Sequence, residues 1–276
     1  MEMQDIRAGM CLKTEAGWNQ TIVDWERFLR LEPGGCFLAE LHGDVVGSVT
    51  TCCFGSVAWI GMMLVARKHR GKGIGRALFS KALAWLDARK ATSIRLDATP
   101  LGKPLYEKFG FRSQFELERV GGKIGSINCG VENKRYTVDA IRSHELDDIA
   151  SLDQAACNTD RKSLLSELIE IDIAGNLIRE AGKPVAFTLC REGSGALQIG
   201  PSVAISPEAG KISLQHTMSS LEGQEAFIDT PIDHASSRFV KSLGLTPFRT
   251  LTRMCYGDNV LENVESLWAS SGPEMG

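Results

Sequence analysis

From Trp18 to Leu29 the apolar side chains Trp18, Ile22, Trp25, Phe28 and Leu29 return at three- and four-residue steps, which predicts an N-terminal helical region. The pattern then changes. Three runs rich in β-branched and other apolar residues, at 37–40, 45–53 and 57–65, are separated by polar turns containing glycine, and they predict successive strands. A helical period resumes from about Gly73 to Arg89, with Ile74, Leu78, Ala82, Trp85 and Leu86 on one face. A short strand at 93–97, a helix at 100–109 and a strand at 111–119 follow. The first helix starts so early that little chain is left for an opening strand. The expected class is α/β with a mixed sheet.

The same order of segments recurs further along. "CFLAELHGDVVGSVT" around Gly43 is matched by "NLIREAGKPVAFTLC" around Gly182, both hairpin-like. "AWIGMMLVARKHRGKGIGRALFSKAL" is then matched by "ALQIGPSVAISPEAGKISLQHTM", and "IRLDATPLGKPLYEKFGF" by "AFIDTPIDHASSRFVKSLGL". Three segments repeating in one order point to a tandem duplication of one fold. The boundary is expected in the glycine-rich stretch Gly121 to Arg135, giving units at 1–122 and 134–276.

A length of 276 residues suits two domains of ordinary size, and 43% hydrophobic with 24% charged residues suits a globular chain. The start "MEMQDIRAGM" lacks the apolar core of a signal peptide, and no apolar run is long enough to span a bilayer. None of the eight cysteines (Cys11, Cys36, Cys52, Cys53, Cys129, Cys157, Cys190 and Cys255) belongs to a CxxC pair, so reduced thiols and a cytoplasmic location are expected. Charge changes the picture more. Residues 1–136 carry 20 basic and 14 acidic side chains, and the remainder carries 11 and 20, within a net −3. One half is therefore suited to an anion and the other to a cation, unless the asymmetry is merely surface composition.

The anion has an evident seat. Between the strand ending near Val65 and the helix starting near Gly73 lies Arg70-Gly71-Lys72-Gly73-Ile74-Gly75-Arg76. Glycines let successive N–H groups curve toward one point, and the helix N-terminus adds unpaired donors. Arg67, Lys68, Arg70, Lys72 and Arg76 supply positive charge, with no carboxylate from Leu64 to Leu83. This is the chemistry of a pyrophosphate cradle. It is not a P-loop, because Arg76 and Ala77 stand where a Lys-Ser/Thr pair would be needed. Nor is it a dinucleotide fingerprint, because Arg76 interrupts the glycine pattern and the loop lies too deep in the chain.

The stretch "VARKHRGKGIGRAL" resembles the acetyl-CoA signature (Arg/Gln)-x-x-Gly-x-(Gly/Ala) of the GCN5-related N-acetyltransferase (GNAT) superfamily, at Arg70, Gly73 and Gly75. About thirty residues later "LYEKFGF" is similar to the family's Leu-Tyr-x-x-x-Gly-Phe. The resemblance implies two GNAT-like units, the first with an intact acetyl-CoA site and the second degenerate. It implies acetyl-CoA as co-substrate, with acetyl and pantetheine along Met63, Leu64 and Val65. The pyrophosphate would lie on Arg70, Gly71, Lys72, Gly73, Ile74, Gly75 and Arg76, with Thr99 and Tyr106 also at the coenzyme. Tyr106 would protonate the departing thiolate, its bland alternative being a packed helix aromatic. Strand N–H groups would hold the oxyanion of direct acetyl transfer to an amine. No metal is implied.

In the second copy "SPEAGKISLQHT" stands for the glycine loop and Val240 for Tyr106, so coenzyme is not expected to bind there in the same way. Its carboxylates, including Asp153, Asp160 and the Glu167–Asp172 cluster, would suit a cationic acceptor. By the same resemblance Trp18, Asn19, Trp25 and Trp59 would line the acceptor side, although tryptophans at helical spacing also build cores and Asn19 also suits a helix cap. Asp97 is a candidate base or a turn cap. No histidine has triad or metal-ligand spacing. The leading expectation is acetylation of a primary amine on a small cationic molecule, such as an aminoglycoside-type aminosugar, which would make the protein a resistance enzyme. The alternatives are a protein-lysine or N-terminal acetyltransferase and a non-catalytic acetyl-CoA-binding module. No basic-aromatic stripe suggests nucleic acid, no membrane partner is expected, and the oligomeric state is open.

Overall fold

The structure, a computed structural model, describes residues 1–128 and 135–276. Cys129 and Lys134, the expected first residue of the second unit, lie outside the described residues. Two compact units are present. The first comprises Met1–Ser113 together with Met254–Asn259 and Glu274–Gly276, and the second comprises Gln114–Arg253 and Val260–Pro273.

The first unit opens with α1 (Ile6–Ala16), which the apolar spacing does not announce: its buried side chains include Lys13 beside Ile6 and Leu12. α1 stops at Gly17, whose φ of +69° lets its N–H return to the carbonyls of Lys13 and Thr14. α2 (Ile22–Leu31) starts on a capping box in which Thr21 N–H donates to Asp24 Oδ2 at 2.7 Å. Trp18 thus sits in the link between helices, and Ile22 is 53% exposed, while Trp25, Phe28 and Leu29 are buried. The N-terminal helical region is thus two helices, and the expected start at Trp18 falls one turn before α2 begins.

The strands follow the pattern closely. β1 (Phe37–Leu41), β2 (Asp44–Phe54) and β3 (Val57–Val65) are antiparallel neighbours. α3 (Ile74–Ala88) then crosses to β4 (Ser93–Ala98), which runs parallel to β3, and α4 (Lys103–Lys108) follows. No strand precedes α1 among the described residues. Leu78, Phe79, Ala82 and Leu86 of α3 pack on Val49, Ala58, Ile60, Ile94 and Leu96 of the sheet. Each such side chain fully removed from water contributes about 1.5–3 kcal/mol.

The second unit takes over β5 (Arg112–Lys123) from Gln114 onward. The reason is hydrogen bonding: residues 117–123 of this strand pair in antiparallel register with residues 225–231. Along the chain the first unit therefore gives way to the second at Ser113/Gln114, ahead of the expected Gly121 to Arg135 stretch. The unit continues through β6 (Tyr136–Ala140), α5 (Leu146–Cys157), α6 (Lys162–Glu170), β7 (Asn176–Glu180), β8 (Lys183–Arg191) and β9 (Leu197–Ala204). Then come α7 (Pro207–Ser219), β10 (Glu225–Pro231), α8 (Ala235–Ser242), β11 (Thr246–Gly257) and β12 (Leu267–Ala269). Its strand order is β11-β5-β10-β9-β8-β7-β6, with β12 on β9. The last four residues of β11, from Met254, belong to the first unit, where Met254 enters the core under α3 and Ser93 Oγ lies 3.4 Å from Cys255 Sγ.

Candidate active site

β3 carries the feature around which the site is built. Ser48 pairs with Leu64 and Thr50 with Gly61, so two steps along β2 face three along β3. The extra residue is a bulge at Met62, whose φ is +47°, and Ser48 Oγ donates to its carbonyl at 2.9 Å. On the other edge, the ladder with β4 covers only Val57–Trp59 against Ser93–Arg95. Beyond that rung β3 runs on through Met63, Leu64 and Val65 and β4 through Asp97, without pairing to each other. A strand edge past the last rung presents N–H and C=O groups to whatever lies in the split.

The glycine loop closes the wide end of this split. Arg67–His69 form a short 3₁₀ turn, and Arg70 Nε donates to the Val65 carbonyl at 3.0 Å, tying the loop back to the strand. The Arg67 N–H donates to Glu15 Oε1 at 2.5 Å, so one carboxylate does lie against the start of the basic stretch. Gly71 and Gly73 have φ of +75° and +82°, and a Cβ at either would point into open space. Only glycine holds that conformation cheaply. Gly73 is also the N-cap of α3, with no side chain capping the first turn. Lys68, Arg70, Lys72 and Arg76 are exposed around it. At Gly75 a Cβ would sit 3.4 Å from Met63 Cε and 3.7 Å from Val65 Cγ2, so the helix start and the strand are already in contact. Ile74 is half-buried beside them.

Tyr106 on α4 packs its ring 4.9 Å from Phe79 and 6.3 Å from Phe111. A Cβ at Gly102 would lie 3.1 Å from the Tyr106 ring and 3.4 Å from its hydroxyl, so the phenol packs directly against this glycine. Burial pushes its pKa well up, which keeps the hydroxyl protonated at neutral pH. Thr99 Oγ1 accepts from the Gly102 N–H at 3.2 Å and so shapes this turn. Asp97 is half-buried on β4, two residues past the last rung.

The acceptor-side residues divide. Trp25 is fully buried, and a Cβ at Gly9 would stand 3.0 Å from its ring, so it is core rather than wall. Asn19 is buried, Trp18 is half-buried, and Trp59 is buried beneath Gly276, whose Cβ would meet the ring at 2.6 Å. Sequence reasoning missed the residues that cover this side: Glu274, Met275 and Gln20, with Gln20 Nε2 donating to Glu274 Oε2 at 2.7 Å. The available signal was Gly61, a glycine inside an apolar strand. A Cβ there would be 2.5 Å from the Glu274 carbonyl oxygen.

In the second unit the corresponding positions are filled internally. Ser206 caps α7 by accepting from the Ala209 N–H at 3.3 Å, and Pro207 occupies the first helical turn. Val240 is fully buried in α8. Asp229, which matches Asp97 in the repeat, grips Arg119 in two hydrogen bonds of 2.8 and 2.7 Å. Burial alone would raise its pKa; the Arg119 guanidinium overrides that and holds it below the ordinary value. Asp153 is likewise paired with Arg161 at 2.7 Å, Asp160 accepts from the Lys162 N–H, and Asp172 accepts from the N–H groups of Gly175 and Cys190. Asp153 and Asp172 are thus engaged in the unit's own structure, while Asp160 is exposed beside the start of α6. Among the described residues no group of three His, Cys, Asp or Glu side chains is placed to hold a metal, and no helix is long and apolar enough to cross a membrane.

Family models described as the acetyltransferase (GNAT) domain match residues 32–113 and, separately, 149–269. The chain is 26% identical over 224 residues to the uncharacterized N-acetyltransferase YitH of Bacillus subtilis, covering 80% of this chain and 77% of that one. It is 23% identical over 270 residues to the holothin acyltransferase of a Pseudoalteromonas species, covering 94% and 87%. Among solved structures, a proposed acetyltransferase from Pyrococcus horikoshii superposes with a TM-score of 0.83 at 23% identity, over 100% of this chain and 94% of that one. A tandem GNAT protein from the clavulanic acid biosynthesis pathway superposes with a TM-score of 0.64 at 13% identity, covering 93% and 95%.

Proposed function

The chain belongs to the GNAT acetyltransferases, as two such units in tandem, and on that premise we propose that its first unit binds acetyl-CoA and passes the acetyl group directly to a primary amine. The chain is an N-acetyltransferase of the GNAT type; the site and the acceptor are the proposal. One observation carries it: the bulged, split edge of β3 leads straight to an uncapped helix start made of glycines and ringed by cations.

Acetyl-CoA, when bound, supplies a thioester activated toward amines. The residues present fit it. Gly71, Gly73 and the first turn of α3 offer backbone N–H groups to a diphosphate, with Arg70, Lys72 and Arg76 as counter-charges. Met63, Leu64 and Val65 offer strand N–H and C=O groups to an amide-bearing pantetheine arm. The N–H groups at the bulge orient the acetyl carbonyl. Tyr106 holds a proton on its hydroxyl and gives it to the leaving sulfur. Asp97 is the candidate to receive the amine's proton, directly or through water. In the second unit Ser206, Pro207 and Val240 stand where a coenzyme would need free donors and a phenol, so we assign it no acetyl-CoA.

The acceptor class follows from charge. We take a small cationic amine, with aminoglycoside-type aminosugars first, because residues 137–276 keep an acidic surplus even after Asp153, Asp160 and Asp172 are set aside. The test is thermal shift followed by free-thiol release across aminoglycosides, polyamines, amino acids and lysine peptides. Acetyl-CoA should raise the melting temperature and NAD should not. Gly73→Asp should abolish that rise, since it places a carboxylate and a strained side chain in the cradle. Undiminished acetyl-CoA binding by this variant would sink the assignment of the loop. Release with peptides alone would turn the reading toward a protein acetyltransferase.

A further inference from the structure

The second unit repeats the strand geometry of the first, and its split is filled. β9 pairs in parallel with β10 through three rungs only, Leu197–Ile199 against Ala226–Ile228, as β3 does with β4. β9 also carries the same irregularity on its other edge. Thr188 pairs with Ser202 and Cys190 with Ile199, so two steps of β8 face three of β9. Past the last rung β9 runs on to Ala204 and β10 to Pro231. By the geometry of the first unit, this is the slot for an extended, amide-bearing arm. Residues 267–271 lie in it. Leu267 pairs with Val203 and Ala269 with Ser202 in antiparallel register, and the Ser270 N–H donates to the Asp229 carbonyl of β10 at 2.9 Å. One short segment thus takes backbone groups of both strands, and Arg191 Nη1 holds its far end by donating to the Ser271 carbonyl at 2.7 Å.

Two glycines make room for it. A Cβ at Gly200 of β9 would stand 2.1 Å from the Ser270 carbonyl oxygen, and one at Gly210 of α7 would stand 2.1 Å from the Trp268 ring. The indole lies against the first turn of α7, whose counterpart in α3 is assigned to the diphosphate, with the His234 ring edge-on at 5.5 Å. Residues 267–271 are all buried, and Trp268 and Ala269 belong to the unit's hydrophobic core. A tail resting on the surface would need glycine at neither place. We propose that residues 267–271 are a built-in ligand of the second slot, an intramolecular inhibitor that uses the strand groups a pantetheine arm would need. Ser206 and Pro207 exclude the diphosphate; the segment excludes the arm. The slot is therefore occupied rather than erased, and with the segment out its strand edges would again take an extended chain of amides. The correspondence between the two slots rests on the coenzyme reading of the first unit; the seating of the segment stands without it.

Three measurements on the full chain test this. In hydrogen exchange the Ser270 amide should be protected as strongly as the amides of β10, and exchange as fast as in a free peptide overturns the proposal. Gly210→Ala should lower the melting temperature by roughly 5 °C or more, because the methyl group meets the indole. With Trp268 seated elsewhere the same change inside a helix would raise it, and a rise overturns the proposal. The probe for a reopened slot is pantetheine, which has no diphosphate for Ser206 and Pro207 to refuse. With coenzyme A at saturation to fill the first unit, millimolar pantetheine should raise the melting temperature of Trp268→Gly by about 3 °C and leave the parent unmoved. Leu267→Gly, which keeps the indole and loosens the strand, serves if Trp268→Gly does not fold. A folded, opened variant that pantetheine leaves unmoved overturns the proposal, as does a parent that it stabilises equally. A parent that coenzyme A does not stabilise overturns instead the coenzyme reading of the first unit, and the exchange and Gly210→Ala results still decide this one.

Discussion

The ring of Tyr106 packs on two phenylalanines, Phe79 and Phe111, beside Gly102, and burial keeps its phenol protonated. A side chain in that state is a proton donor waiting for a base, and a thiolate leaving a thioester is such a base. Tyr106→Phe retains the ring packing and removes only the proton, so kcat is expected to fall ~10²-fold while the acetyl-CoA Kd stays put. Thiol-release kinetics beside a coenzyme titration check it, and an unchanged kcat would leave Tyr106 as packing. This residue and the loop glycines were legible in the sequence because their spacing is local and their residue types are chemically restrictive. Gln20 and Glu274 were not, since they lie 254 residues apart and nothing in either neighbourhood names the other. Trp25 illustrates the opposite limit. Helical spacing says that a tryptophan has a preferred face, and only the packing against Gly9 says that the face is core.

Two helix starts tell the units apart. α3 begins on a bare Gly73, whereas α7 begins on Ser206 and Pro207, which satisfy or delete the donors an anion would use. Ser206→Ala should therefore destabilise the protein by about 1 kcal/mol in denaturant unfolding and leave acetyl-CoA binding unaffected. A change in coenzyme affinity would contradict the division. α8 is capped in another way: His234 Nδ1 accepts from the Ser236 N–H at 3.1 Å, and Nε2 stands 3.2 Å from the Glu265 carbonyl. Burial lowers the His234 pKa below the usual 6.5. A depressed pKa means that the unfolded chain takes up the proton first, so this contribution is complete above pH ~6.5 and is lost as pH falls below it. Melting temperature measured from pH 7.5 to 5 should drop less steeply for His234→Asn than for the parent. Strands and α3 were legible from apolar period alone. α1 was hidden by the buried Lys13 and Gly9 on its inner face, and the Met62 bulge by its dependence on pairing register, which no single strand encodes.

At the scale of the molecule, the repeat read from three matching segments is present as two GNAT units, but the compact units do not divide the chain where composition suggested. The first unit is finished by Met254–Asn259 and Glu274–Gly276, which supply Met254 to the core and a cover for Trp59 and Gly61. A fragment of residues 1–122 should accordingly unfold without a cooperative transition or melt far below the whole chain, whereas a self-contained domain would melt near it. The consequence reaches to synthesis. A ribosome delivers the chain in sequence order, so β3 and the glycine loop emerge with the face of Gly61 bare and wait through the synthesis of everything between Val65 and Met254 before residues 254–276 arrive. Through that interval the nascent first unit is a half-clad sheet, open to chaperones and to misdirected strand pairing. Slowing elongation downstream of residue 122 should therefore lower the yield of folded protein instead of raising it.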